Sequence, residues 1–309
     1  MEIYDGPLVR IESAMSVDII KDRKSIIMAI TDSAGIGPKM FQQLLMKLGA
    51  PEDFLTASYS DFKDIPRMSD EKIQLIMDSL ERVAEYDSKL QEYTASDIDV
   101  VTFLDSQYPE QLRMTNDPPA ILYIKGNRDA FSKNYIAMVG TTKPTQEGLR
   151  LAVDLSRELV KEGFGIISGL AAGIDSAAHL GTLKENGITI AVLGCGILNI
   201  YPQENILLSS QIENNGLLIS EHDPHTGVTK SNLVLRNRII SALSKAVVVV
   251  EIGKDTAGEL RTASYAIKQA KPLFYGNPDG NIDYSRIENL PGVILGNVDP
   301  VEEISKYIT

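Results

Sequence analysis

Phe164-Gly165-Ile166-Ile167-Ser168-Gly169-Leu170-Ala171-Ala172-Gly173-Ile174-Asp175 opens the segment that decides the fold. A short apolar run ends in a serine and two glycines, and a helical pattern follows over Ile174–Asn186. The next apolar runs, Ile188–Leu193 and Ala246–Val250, are almost unbroken. Strands buried on both faces between helical layers have this composition. Working outward, strands are predicted over Val100–Leu104, Ile121–Ile124, Tyr135–Val139, Leu217–Ser220 and Pro272–Tyr275. Helices are predicted over Gln146–Glu162, Gln203–Asn214, Asn232–Ser244 and Ala257–Ala270. The alternation predicts an α/β fold, an extended Rossmann-like, doubly wound, mostly parallel sheet.

Residues 1–20 show no period and form an N-terminal extension. Over 21–96 the texture is helical: Phe41, Leu44, Leu45 and Leu48 share one face, and Ile73, Ile76, Leu80 and Val83 another. Gly49, Pro51 and Pro66 punctuate this stretch, which predicts a small all-α domain of four or five short helices. The Rossmann-like domain is expected over 97–285. A tail over 286–309 adds a strand at Val293–Leu295 and a helix at Val301–Tyr307.

The 309 residues carry a net charge of −12. That balance argues against coating nucleic acid through bulk charge. Between Asp117 and Gly280, however, 16 Lys+Arg meet 16 Asp+Glu, so the acidic excess lies at the two ends and the middle is where an anion is expected to bind. The lone cysteine, Cys195, sits in an apolar run as a small buried hydrophobe. With His179, His222 and His225 it supplies no zinc spacing, so neither metal nor cofactor is expected. Met1 to Asp22 lacks the basic-then-apolar order of a signal peptide, and no run reaches the roughly 18 apolar residues of a membrane span. A cytoplasmic location is expected.

Ligands of open parallel sheets bind beyond the carboxyl ends of the strands, so the turns there matter most. They are Gly140-Thr141-Thr142-Lys143-Pro144-Thr145, the Ser168–Asp175 block, Gly194-Cys195-Gly196 and Thr256-Ala257-Gly258-Glu259. Glycines let backbone approach a ligand, and the helix N-termini that follow offer N–H donors to an anion. Thr145 is placed to cap its helix. Four such turns at one edge point to a phosphate-bearing ligand. Arg236, Asn237 and Arg238 lie on the helix predicted over Asn232–Ser244, with Lys230 just ahead. Arg236 and Arg238 diverge by about 200° around a helix. One is expected to brace the structure and the other to reach the ligand edge, with Glu221 and Glu251 orienting them. His179, among alanines, is expected to be a hydrogen-bonded structural residue.

Taken in order, several stretches resemble the DNA-processing protein A (DprA/Smf) family. They are Tyr108-Pro109, Pro118-Pro119 before Leu122-Tyr123, the Ser168–Asp175 block with Ala178-His179, Tyr201-Pro202, Ser220-Glu221 and Arg236-Asn237-Arg238-Ile239-Ile240. The resemblance covers roughly residues 100–280. It implies a homodimer that binds single-stranded DNA and delivers it to a RecA-like recombinase in recombination and natural transformation, without catalysis. The expected DNA or phosphate contacts are Gly140, Thr141, Thr142, Lys143, Ser168, Gly169, Gly173, Lys230, Arg236, Asn237, Arg238 and Gly258.

Gly35-Ile36-Gly37-Pro38-Lys39 resembles the turn of a helix-hairpin-helix, whereas Ile65–Ser69, at the matching second hairpin, lacks its glycines. The chain departs from the family pattern at three places. Gly140-Thr141-Thr142 stands where the family has Gly-Ser-Arg, so Lys143 is expected to stand in for the arginine. Leu233-Val234 replaces Phe-Pro, and Ala257-Gly258-Glu259 replaces Ser-Gly-Ser, bringing a carboxylate to an anion site. No C-terminal winged helix is expected. The competing reading is a nucleotide-binding enzyme or sensor related to phosphoribohydrolases. The stretch Asp255–Thr262 lacks the paired glycines of those enzymes. A third reading is a scaffold that binds protein partners through its acidic ends.

Overall fold

The computed structural model describes residues 22–32, 35–253, 258–278, 280, 284–296 and 299–308. The extension over 1–20 and the turn residues Asp255, Thr256 and Ala257 lie outside this set. Helices α1 (Arg23–Asp32), α2 (Pro38–Leu48), α3 (Tyr59–Lys63), α4 (Asp70–Glu81) and α5 (Val83–Ala95) come first. Strands β1 (Asp99–Thr102), β2 (Ile121–Gly126), β3 (Tyr135–Val139), β4 (Gly165–Ser168), β5 (Thr189–Leu193), β6 (Leu217–Ser220), β7 (Ala246–Val249), β8 (Leu273–Tyr275) and β9 (Val293–Ile294) follow. Among them run α6 (Glu110–Arg113), α7 (Gln146–Lys161), α8 (Ile174–Lys184), α9 (Ile206–Asn215), α10 (Lys230–Leu235), α11 (Asn237–Ala242) and α12 (Gly258–Lys268). Helix α13 (Pro300–Ser305) comes last of the described elements.

The nine strands form one sheet in the order β1-β2-β6-β5-β4-β3-β7-β8-β9. Pairs β1–β2 and β2–β6 are antiparallel, and every other pair is parallel, with Ala137 opposite Ile167 and Val139 opposite Val249. The fold is the expected mostly parallel, Rossmann-like α/β sheet. From β3 the chain winds outward through β4, β5 and β6. It then returns through α10 and α11 to place β7 on the other flank of β3. The direction of winding therefore reverses at β3.

Side chains alternate across a strand, and the core follows that rule. Ile136 and Met138 pack on one face with Ile166, Val248, Ala152 and Leu155. Ala137 and Val139 pack on the other with Ile167, Val192, Val247, Ile239 and Ala263. Apolar residues of the helical segment, Ile26–Ile30, Phe41, Phe54, Phe62 and Ile73 among them, join a third cluster with Tyr123, Leu193, Cys195 and Leu208. The helices thus dock on the sheet. Helix α7 starts where Thr145 Oγ1 accepts the Gly148 N–H at 3.0 Å. It packs on α8 so closely that a Cβ at Gly181 would overlap the Val153 backbone.

One prediction is corrected. The helix expected over Asn232–Ser244 is two helices meeting at Arg236. Helix α10 buries no residue, whereas all six residues of α11 are buried. The break separates a solvent-facing turn of chain from one held in the core. No helix among the described residues is long and apolar enough to cross a membrane.

Candidate functional site

The carboxyl ends of β3, β4, β5 and β7 open on a cleft of about 530 Å³. It lies at the reversal of winding, where open α/β sheets take their ligands. After β3, Gly140, Thr142 and Lys143 form its first wall, with Ala171 and Ala172 beside them. Gly169, Asp175 and Arg236 line it as well, as do Asn237 at the start of α11 and Gly258, Glu259 and Thr262 of α12. Tyr201, Pro202, Leu233 and Val234 give the remaining side an apolar surface.

Of the twelve residues expected from sequence, the cleft brings together Gly140, Thr142, Lys143, Gly169, Arg236, Asn237 and Gly258. Thr142 and Lys143 are exposed, and Lys143 has no ion-pair partner among the described residues. The other five do not line the cleft. Ser168 is buried and its hydroxyl donates to the Met138 carbonyl at 2.6 Å. Thr141 is also buried, its hydroxyl accepting the Lys143 N–H at 3.2 Å. Gly173, at φ +79°, closes the turn before α8, where a Cβ would overlap the Thr141 carbonyl. Lys230 is exposed at the start of α10. Arg238 is buried away from the cleft.

The two arginines do not divide as expected, because both guanidinium groups are buried. Arg236 donates to the carbonyls of Gly169 and Val192 and to Asn237 Oδ1, and sits 3.9 Å from Asp175. It ties the ends of β4 and β5 together beneath the cleft. A Cβ at Gly169 would collide with this guanidinium, so the glycine is required by packing. Burial works against charge on both partners, raising the Asp175 carboxyl and lowering Arg236, while their mutual attraction opposes it. Arg238 grips both carboxylate oxygens of Glu221, at 2.7 and 2.6 Å, and lies 3.3 Å from Asp117. Glu221 therefore orients Arg238, as its strand-end position suggested.

Glu251 does not orient an arginine. Its carboxylate accepts the Thr145 N–H at 3.1 Å and the Thr145 hydroxyl at 3.0 Å, at the N-terminus of α7. Asp175 Oδ2 accepts the N–H groups of Gly169 and Ala171, at 3.1 and 3.3 Å. Glu259 Oε1 accepts the Gly253 N–H at 2.8 Å, and burial raises its carboxyl above the ordinary range. Three donor seats at the strand ends, which the glycine turns offered to a phosphate, are thus filled by the chain's own carboxylates. The favourable interaction between an anion and a helix N-terminus is satisfied internally.

His179 is fully buried, its Nδ1 2.7 Å from Thr189 Oγ1. The Thr189 hydroxyl proton goes to the Ile166 carbonyl, so Nδ1 of His179 is the donor in this pair. Burial, helped by Arg236, pushes its pKa down to about 3. The ring is neutral and structural, as expected. Cys195 is buried and its thiol pKa raised by that burial.

Sequence reasoning missed the apolar side of the cleft. Tyr201 is 47% exposed, and its ring stacks on no other ring among the described residues. Asn205, buried nearby, donates to the Leu170 carbonyl and to Ser176 Oγ, both at 2.9 Å, tying the Tyr201 segment to the glycine turn. The signal was available, since Tyr201 follows the turn after β5.

The family model for DNA recombination-mediator protein A matches residues 99–290. DNA processing protein DprA of Bacillus subtilis is 40% identical over 183 residues, covering 59% of this chain and 61% of that protein. The chain therefore spans about three-fifths of that relative's length. The X-ray structure of DNA processing protein A from Streptococcus pneumoniae superposes with a TM-score of 0.78 at 25% identity, over 92% of this chain and 98% of that one. DNA processing protein A from Helicobacter pylori, solved for its single-stranded DNA binding mode, gives a TM-score of 0.59 at 27% identity, over 68% and 94%. The match of this sheet and its strand-end turns to that model is the ground for assignment: the chain belongs to the DNA recombination-mediator protein A family.

Proposed function

We propose that the chain binds single-stranded DNA at the switch-point cleft and, as a homodimer, hands the strand to a RecA-like recombinase. The observation that carries the binding step is the division of the cleft. An unpaired cation, Lys143, stands on one rim beside the Thr142 hydroxyl, and Tyr201, Pro202, Leu233 and Val234 line another side. A sugar–phosphate backbone fits the first and an unstacked base the second. Aromatic stacking of a base contributes about 1–3 kcal/mol and tolerates any sequence. The twelve residues expected from sequence then sort into contacts, such as Thr142 and Lys143, and supports, such as Ser168, Gly173 and Arg238. Lys230 lies beyond the lining, where it can meet a neighbouring phosphate.

No catalytic step is assigned. His179 is neutral and buried, and Glu221, Glu251 and Asp175 are committed to structural partners. A phosphoribohydrolase-like enzyme would need donors for a 5′-phosphate, and Asp175, Glu251 and Glu259 occupy three of the seats nearest at hand.

Titration with labelled oligo(dT) tests the proposal. Lys143→Ala should weaken binding several-fold with little change in melting temperature, as expected for an exposed residue. Thr142→Arg should strengthen it, because guanidinium holds phosphate through two hydrogen bonds. With so few cations, the log–log salt slope should be shallow, about −0.7 per phosphate contact. If Lys143→Ala binds like the parent and Thr142→Arg gains nothing, this edge is not the DNA site.

A further inference from the structure

The apolar side of the cleft is placed by contacts that begin far from it. Tyr201 hangs between two anchors. On its carboxyl side, Asn205 ties the chain to the glycine turn. On its amino side, the residues after β5 are stitched to the loop after β6. The Gly196 N–H donates to the Thr226 carbonyl at 2.8 Å, and the Leu198 N–H to the Pro224 carbonyl at 2.9 Å. The Asn199 amide donates to the His225 carbonyl, and the Ser220 hydroxyl to the Cys195 carbonyl at 2.7 Å. The two loops lie so close that a Cβ at Gly196 would overlap the Asp223 and Pro224 carbonyls.

The loop after β6 is held in turn by α5. Tyr93 is 1% exposed, and its hydroxyl donates to Asp223 Oδ2 at 2.6 Å. Lys89, one turn earlier, lies 3.6 Å from the same oxygen. Asp223 Oδ1 accepts the His225 N–H at 2.9 Å, and the Asp223 carbonyl accepts the Thr226 N–H at 2.8 Å. The carboxylate that Tyr93 grips therefore also shapes the loop. The Tyr93 ring belongs to the apolar cluster that holds Cys195 and Ile197, and Ile200, next to Tyr201, packs against that cluster.

We propose that the helical segment sets the position of the Tyr201 ring, with Tyr93 as the positioning residue, acting through Asp223 and the loop after β6. Its consequence for binding rests on the DNA-binding reading above. A ring that is already fixed loses less freedom when a base stacks on it, and that strengthens binding. Helix α5 then contributes to the affinity of the cleft without touching the strand.

The test uses the full chain and two readouts. The sequence contains no tryptophan, so Tyr201→Trp supplies a single indole reporter at this place. In that background Tyr93→Phe, which removes a hydroxyl and keeps the ring in the core, should raise acrylamide quenching and lower the emission anisotropy. Ile73→Val trims a buried side chain of the helical segment at a comparable loss of stability and should leave both signals where they were. With the native Tyr201, Tyr93→Phe should weaken oligo(dT) binding about threefold, since only part of what one hydrogen bond contributes reaches the ring. In Tyr201→Ala it should weaken binding no further, because residues that act through one another are not additive. Signals unmoved by Tyr93→Phe, or moved equally by Ile73→Val, overturn the proposal. So does an equal loss of binding in both backgrounds. If the signals shift as expected and no form binds oligo(dT), Tyr93 positions the ring and the DNA reading alone falls.

Discussion

Replacing Asp32 by Asn should make the protein more stable at alkaline pH and change it much less at acidic pH. Asp32 ends α1 and lines a second cleft, of about 570 Å³, between the helical segment and the loop after β6. Burial, and then the neighbouring Asp223, raise its pKa from 3.8 to about 7, against the opposing influence of Lys89 and of the Tyr123 hydroxyl at 3.4 Å. Asp223 itself accepts from the Tyr93 hydroxyl at 2.6 Å and lies 3.6 Å from Lys89. Glu221, His222 and His225 line the same cleft. The folded state keeps the Asp32 proton up to near neutrality, whereas the unfolded chain releases it near pH 3.8. Between those values the folded state binds more protons, so stability falls as pH rises. A shift of roughly 3 units at 1.36 kcal/mol each gives about 4 kcal/mol lost by pH 8 and about 2 by pH 5. These figures are ceilings, because the cleft admits water. Asn keeps the acceptor for Tyr123 and cannot ionise. Urea unfolding of parent and variant at pH 5 and pH 8 reads the difference directly. The gap in favour of Asp32→Asn should widen by about 2 kcal/mol between the two. A gap that stays level, or that opens in favour of the parent, refutes the argument.

Arg238→Ala strands the partly buried Glu221 carboxylate, whose side chain is 13% exposed. Removing one partner of a fully buried pair destabilises by about 3–5 kcal/mol, which is the ceiling for this one. A loss under about 1 kcal/mol in chemical denaturation would mean that the pair is solvated. Gly169→Ala forces its Cβ into the Arg236 guanidinium and should destabilise by about 1–3 kcal/mol. Gly258→Ala, with open space in front of it, is the matched control and should be nearly silent in a thermal melt.

The strand–turn–helix order was legible because burial on both faces leaves an unmistakable composition, as in Ile188–Leu193 and Ala246–Val250. The edge that carries the cleft was legible too, since strand direction dictates it. What the residues around Gly140 and Ser168 could not disclose was the occupant of their donor groups. Glu251 lies 106 positions from Thr145 along the chain, and no local pattern couples them. Arg236 was assigned a helix face, but its guanidinium is drawn between the Gly169 and Val192 carbonyls, and the helix breaks at that residue. The place of Tyr201 after β5 was legible, whereas the exposure of its ring is a property of the packed molecule.

The carboxylates at the strand ends have a consequence for what the cleft will ignore. Glu251, Asp175 and Glu259 act as tethered competitors of any diffusing anion. A tethered group acts at an effective concentration in the millimolar range or above. Inorganic phosphate and free nucleotides, arriving singly, must displace a resident that never diffuses away. A polymer is not held to those seats, because each of its linked units can engage the rim, the aromatic surface and the next cation along. On the proposed reading, prior occupancy of the sockets sets the discrimination between strand and monomer, and free monomers overcome it only as their concentration approaches that of the tethered residents.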